Sequence, residues 1–199
     1  MLAATRRLVG RYGIEGATFD LITQEADVGR GTIHWAYGSK ERLVLELLNA
    51  DAAARLHALR DAITPVASTE ELVDAFVAHV EWFLDEELGV HVLLQELGSL
   101  ALREPSVRDA LASRRREWGK VFAELLEAKN AEGVITLADE PRVVAGVLTA
   151  LGHGVAMHAL LDPDPELEPL MLRARACVAP MLGADESVMA GEAGTGVPN

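Results

Sequence analysis

Arg30, Trp35 and Lys40, with Gly31 among them and Thr18 ahead of them, carry the types and spacing needed to hold duplex DNA. A guanidinium at Arg30 can donate two parallel hydrogen bonds to guanine O6 and N7, or contact phosphate alone. Gly31 lets a backbone approach closely. The Trp35 indole can lie on a thymine methyl or a sugar edge, or else pack against the first helix. Lys40 suits a phosphate, helped by its own backbone N–H at a helix start. Thr18 can cap a helix and still offer its hydroxyl to phosphate.

The segment that positions them, Thr18 to Leu43, reads TFDLITQEADVGRGTIHWAYGSKERL. Thr18 and Asp20 are N-cap types, and Leu21, Ile22 and Ala26 fall on one apolar side. Asp27 stands where a left-handed or turn residue is required, which Asp tolerates better than a branched side chain. Val28 tucks under the corner. Gly29 opens a helix from Arg30 to about Tyr37, Gly38-Ser39 breaks it, and Ser39-Lys40-Glu41-Arg42 is an imperfect capping box heading a longer helix. Two short helices around a tight turn make the helix-turn-helix, which presents the start of its second helix to the major groove.

These residues resemble the N-terminal domain of the TetR family of transcriptional regulators. The resemblance lies in Thr18, Ile22-Thr23, Ala26-Asp27-Val28-Gly29, Gly31-Thr32-Ile33-His34 and Tyr37-Gly38-Ser39-Lys40-Glu41, collinear and without gaps. It implies that Thr32 and His34 touch phosphate or sugar, His34 standing where the family has Tyr. It departs at Asp20, an acid where many members are basic or neutral, at Asp27 in place of Gly, and at Gly29 in place of a capping Ser. Further on, Glu96-Leu97 through Arg103-Glu104-Pro105, Trp118, Gly133-Val134-Ile135 and Gly152-His153-Gly154-Val155 are similar to the C-terminal domain of a subgroup that includes choline-responsive regulators. His153 stands where that subgroup usually has Asp.

A second set of residues suits a small-molecule site. Leu72, Phe76, His79 and Phe83 share a helical face, as do His91, Gln95 and Gly98, then Trp118, Phe122 and Leu125, then Gly146, Ala150, His153 and Met157. Apolar walls with a few polar anchors (His79, Gln95 and His153) are what an effector pocket needs. Aromatics at helical spacing are more often plain core. The six histidines form no i, i+4 pair and no H-E-x-x-H motif, so no metal site is expected. No Gly-x-Ser-x-Gly, phosphate-cradling loop or motif-placed Cys-His pair is present. The expectation is a non-enzyme without catalytic residues or cofactor.

Composition frames this reading. The chain has 199 residues, 50% hydrophobic, with eight prolines at apparent helix boundaries and one cysteine. That suits an all-α protein in a reducing cytoplasm; Met1-Leu2-Ala3-Ala4 shows no signal-peptide pattern. Net charge is −13, against a general nucleic-acid binder. Residues 1–45 nevertheless carry six basic and five acidic side chains, for +1, leaving −14 on the other 154.

About nine helices are expected: Leu2 to Tyr12 ended by Gly13; two in the turn motif; Lys40 to Ile63; one from the Ser68 cap to about Glu87; Val90 to Arg103; Pro105 to Ala131; Pro141 to Leu161; and Glu166 to Leu182. The domains expected are a helix-turn-helix head (1–45), a helical ligand-binding and dimerisation domain (46–183) and a disordered tail (184–199). The stretch 143–161 lacks Asp, Glu, Lys and Arg over 19 residues, close to a membrane span. With His153, His158, several Gly and Ala and no basic flank, it fits better a helix buried between its own domain and a partner. The last two helices, with Val144, Val147, Leu151, Leu170, Met171, Cys177 and Met181, are expected to form a homodimer as an intermolecular four-helix bundle. Two heads would read half-sites of a pseudo-palindromic operator, and a small molecule would release it. The alternative is a helical small-molecule binder whose head has lost DNA binding, consistent with Asp20 and the +1 charge.

Overall fold

The fold is that of a computed structural model, which describes residues 1–85, 88–162 and 166–184, and their side chains apart from Glu41, 82–85 and 88–91. Among the described residues it is all helical. The elements are α1 (Leu2–Gly16), α2 (Phe19–Glu25), α3 (Arg30–Tyr37), α4 (Lys40–Ile63), α5 (Thr69–Asp85), α6 (Leu88–Ala101), α7 (Pro105–Ala131), α8 (Pro141–Leu161), α9 (Leu167–Val178) and a closing 3-10 turn, Ala179–Leu182. The expected tail lies, from residue 185 on, outside the described residues.

Local chemistry explains most boundaries. The Thr18 hydroxyl accepts from Leu21 N–H (3.3 Å) at the head of α2, and Ser39 Oγ accepts from Arg42 N–H (3.3 Å) at the head of α4. At α5, Ser68 Oγ accepts from Glu71 N–H (3.2 Å) while Glu71 Oε2 accepts from Ala67 N–H (2.7 Å). Each satisfies a donor that a helix start leaves open. Proline opens both α7 and α8, where its missing N–H costs nothing.

Three boundaries depart from expectation. Gly13 (φ 72°, ψ 175°) interrupts α1 rather than ending it, and helical residues resume as far as Gly16. The sixth helix runs two residues earlier than anticipated. The expected last helix stops at Val178 and tightens into the 3-10 turn that contains Pro180.

The chain divides into two compact units, the first formed by residues 1–57 and 86–118 and the second by 58–85 and 119–199. The first therefore takes in more than the head expected at 1–45. Its core joins Leu8 and Val9 of α1, Ile22 of α2, Ile33 of α3, Leu43 and Leu47 of α4, and Leu93 and Leu97 of α6. Ile33 is the one buried side chain of α3; an eight-residue helix this short is marginal alone and stands because that side chain is anchored. An ion pair joins Arg6 of α1 to Asp51 of α4, whose side chain is 6% exposed.

In the second unit Val80 of α5, Val155 of α8 and Met171 and Ala174 of α9 make one core, with Phe76, Val77, Leu151 and Leu170 packed on it. Thr136 and Ala138 N–H donate to Leu182 O and Met181 O (both 3.1 Å), pinning the 3-10 turn. Lys129, 6% exposed, donates to Thr64 O (2.9 Å) and Glu132 Oε2 (2.9 Å), tying α7 to the end of α4. Lys129→Met keeps the apolar stem but leaves these acceptors to water. Chemical denaturation should show a loss of about 1 kcal/mol with an unchanged m-value.

Candidate nucleic-acid interface and effector region

The first turns of α2 and α3 come together at the outer face of the head. Asp27, at φ 51°, is the non-glycine residue with positive φ among the described residues and makes the corner, while Ile22 is buried beneath it. Leu21, read as part of the apolar side, is 38% exposed. Ile22 and Thr23 carry the buried face of α2 instead.

Around this frame Thr18, Arg30, Gly31, Thr32, His34 and Trp35 are all exposed, and Lys40 is half-buried. With Ile33 pointing inward, the rest of α3 turns its polar tips outward. Trp35 is 89% exposed, so it does not pack against α1. A Cβ on Gly31 would meet nothing within 4 Å, which leaves that side of the helix open. Lys40 Nζ donates to Glu15 O (2.7 Å), holding the ammonium near the end of α1.

Two contacts in this region have no clear sequence signal. Arg30 Nη2 forms an ion pair with Asp20 Oδ2, the side chains remaining 73% and 61% exposed. The His34 ring meets Phe19 edge-to-face, centroids 4.9 Å apart at 78°. Asp20 stood out in the sequence as an acid facing DNA; its pairing with a residue ten positions on depends on how the two helix starts converge.

The effector candidates are spread over both units. In the first, Gln95 is exposed and Trp118 half-buried, and the His91 side chain lies outside the described residues. In the second, Phe76, His79 and Met157 are half-buried, Phe122 is buried and His153 exposed, while the Phe83 side chain lies outside the described residues. Phe76 is packed on the α5–α8–α9 core, its ring within 3.9 Å of where a Cβ on Gly152 would sit, so this member of the aromatic stripe serves as core. One cleft of the second unit, about 320 Å³, is lined by Lys120, Ala123, Glu124 and Glu127 of α7 and Glu140, Pro141 and Arg142 at the start of α8. None of these was anticipated as a pocket residue, and the cleft is rimmed by charge. Among the described residues no group of three His, Cys, Asp or Glu is placed to hold a metal ion.

The residues expected between two chains also separate. Val144 and Met171 are 0% and 8% exposed, so both are covered within the single chain, Met171 in the core with Val80, Val155 and Ala174. Leu151 and Leu170 are half-buried against that same core. Val147 is 45% exposed, Cys177 is exposed and Met181 half-buried. Among the described residues, the uncovered large apolar side chains of these two helices are Val143, Val147, Leu160 and Leu161 on α8 and Leu172 on α9. Val143, Val147, Ala150, Gly154 and Leu161 repeat at helical spacing along one stripe. His153, on the same helix, is exposed. Only 28% of the most apolar window of α8 is buried, although the helix is long and apolar enough by composition to cross a membrane.

Comparison with known proteins gives this architecture a context. Residues 1–47 match the family model for bacterial regulatory proteins of the tetR family, and residues 65–157 match that for the tetracyclin repressor-like C-terminal domain. The chain is 29% identical over 175 residues to the HTH-type nicotine-responsive transcriptional repressor HdnoR of Paenarthrobacter nicotinovorans, covering 85% of this chain and 87% of that one. Among solved structures, a transcriptional regulator from Saccharomonospora viridis in complex with choline superposes with a TM-score of 0.71 at 18% identity, covering 89% of this chain and 92% of the other. The transcriptional regulator FadR from Bacillus subtilis in complex with stearoyl-CoA does so with a TM-score of 0.69 at 15% identity, covering 89% and 95%.

Proposed function

We infer that this chain, which belongs to the TetR family of bacterial regulatory proteins, is a ligand-responsive transcriptional repressor that binds operator DNA as a homodimer in the cytoplasm. The observation that carries the reading is the face of α3, where Arg30, Thr32, His34 and Trp35 stand exposed around one buried anchor, Ile33. A helix held from behind, with hydrogen-bonding tips and an open glycine in front, is what entry into a major groove requires. Arg30 reads a guanine, Lys40 and Thr18 hold phosphates, and two heads meet half-sites about 34–36 Å apart. The family is one of regulators rather than enzymes.

The dimer forms through the exposed stripe of α8 together with Leu172 of α9, an interface continuous with the α5–α8–α9 core. An effector binds among the helices of the C-terminal domain and acts only as far as it prefers one state over the other. The related regulators, one nicotine-responsive and two solved in complex with choline and with stearoyl-CoA, are linked to molecules that differ widely in size and charge. The shared fold therefore supports small-molecule control without designating the molecule.

Arg30→Ala and Lys40→Ala separate reading from holding. Arg30→Ala should cost about 1–3 kcal/mol of discrimination at one base position of an operator selected from random duplexes. Lys40→Ala should weaken all duplexes alike and lower the salt slope by about one per subunit. Equal losses on every sequence for both variants would remove base reading from Arg30. The rival, a small-molecule binder with an inert head, draws on the neutralisation of Arg30 by Asp20. It predicts no retardation of genomic fragments even at low salt.

A further inference from the structure

The Asp20–Arg30 pair lies at the centre of the candidate interface, and a carboxylate there looks at first like a simple liability. We propose that Asp20 is a specificity-determining residue that works through Arg30, suppressing attachment to arbitrary DNA more than attachment to the operator. This rests on the DNA-binding reading above.

The physical argument begins with the two helix starts. Asp20 is in the first turn of α2, where an acid is favoured by the helix dipole, and Arg30 opens α3, where a cation is disfavoured. Pairing the two relieves the second position and keeps the first. The pair is exposed, with side chains 73% and 61% accessible, so it stands open to a macromolecule.

Its consequences differ for the two kinds of DNA contact. Non-specific attachment draws on unpaired cations that displace counterions from phosphates. An arginine already neutralised by a neighbour displaces little, and the carboxylate beside it repels the phosphate. Guanine presents two neutral acceptors, O6 and N7. A guanidinium has five N–H donors, so after Nη2 has given one to Asp20 enough remain for the two-bond contact. The carboxylate also holds the guanidinium still, which lowers the ordering cost of that contact. The edge contact between His34 and Phe19 joins the same two helices. Thr23 Oγ1 donates to Asp20 O (3.0 Å), tying the Asp20 backbone into α2.

The test compares the wild-type homodimer with Asp20→Asn, which keeps shape and hydrogen-bonding oxygen and removes the charge. The probes are the duplex most enriched by the wild-type protein from a random library and a scrambled duplex of equal length and composition, across 50–200 mM salt. Asp20→Asn should bind the scrambled duplex about three-fold or more tighter at the low-salt end, with a slope steeper by about one per subunit. The ratio of enriched to scrambled affinity should fall at least three-fold. With Arg30→Ala already in place, Asp20→Asn should leave that ratio unchanged. A ratio that Asp20→Asn leaves intact, or lowers equally without Arg30, overturns the proposal while DNA binding stands. If the wild-type protein enriches no sequence at low salt, the DNA-binding reading falls and takes this one with it.

Discussion

Val147→Glu should yield a folded protein that sediments as one chain at micromolar concentration and no longer retards operator DNA. Val147 is 45% exposed in the single chain and lies between Val143 and Leu161 on the uncovered stripe of α8. In a two-fold interface each substitution occurs twice. Each copy forfeits about 0.7–1.4 kcal/mol, the apolar burial still open to a side chain 45% exposed, and forces either an unpaired carboxylate into a dry contact or the contact apart. Taken over both copies, with the carboxylate cost included, the loss is at least about 4 kcal/mol, or about a thousand-fold in dissociation constant. Operator binding follows, because two unlinked heads lose the effective concentration that joins the half-sites.

The contrasting variant is Val144→Ala. Its side chain is fully buried within the chain, so it should lower the unfolding temperature and leave the assembly intact. Sedimentation velocity and circular dichroism on both variants distinguish a covered face from an open one. A Val147→Glu protein that remains a dimer would place the interface elsewhere.

That Val144 and Val147, both expected at the interface, separate into a buried and an exposed position shows where sequence reading meets its physical limit. A helix that is apolar on every side has no polar face to set its phase, so the 141–161 pattern reveals a buried helix and not which stripe faces its own core. Where punctuation is local, the reading holds. Proline at position 105, the Ser39 and Ser68 caps and the Gly29 and Gly38 breaks are decided within one turn of chain, and α3, α4, α7 and α8 begin and end where those signals predict. The same holds for Asp27, whose positive φ follows from the turn it must make.

The candidate site divides along the same line. The residues of α3 were legible because a short helix with one buried anchor leaves few choices for the rest. Trp35 had two plausible environments, and two positions on from the buried anchor Ile33 it falls on the opposite face of α3, 89% exposed. The pairing of Asp20 with Arg30 depends on a corner angle that no residue type encodes. Phe76 sat in a stripe compatible with pocket or core, and the choice was made by α8 and α9, far along the chain. Contacts between distant segments separate an inventory of competent residues from a site.

Gly13→Ala should lower stability by about 3 kcal/mol and depress the melting temperature by about 6–12 °C for a chain of this size. Two costs combine. The backbone at φ 72° and ψ 175° lies in a region that essentially only glycine occupies, worth about 1–3 kcal/mol when a side chain is forced there. A Cβ would also collide with Glu96 Oε1. That carboxylate is flexible enough to withdraw, but it accepts from Ile14 N–H at 2.5 Å across 82 residues of sequence. The N–H is one that the break in α1 sets free from the helical pattern, so withdrawal leaves a half-buried donor unpaired, at about 1–3 kcal/mol. The two costs should therefore be non-additive. Glu96→Ala alone should destabilise through the lost acceptor, and adding Gly13→Ala to it should then cost only the backbone term, because the clash has gone. Additivity within about 0.5 kcal/mol in denaturant unfolding would mean that Glu96 and Gly13 act independently and that the break in α1 is held by the backbone alone.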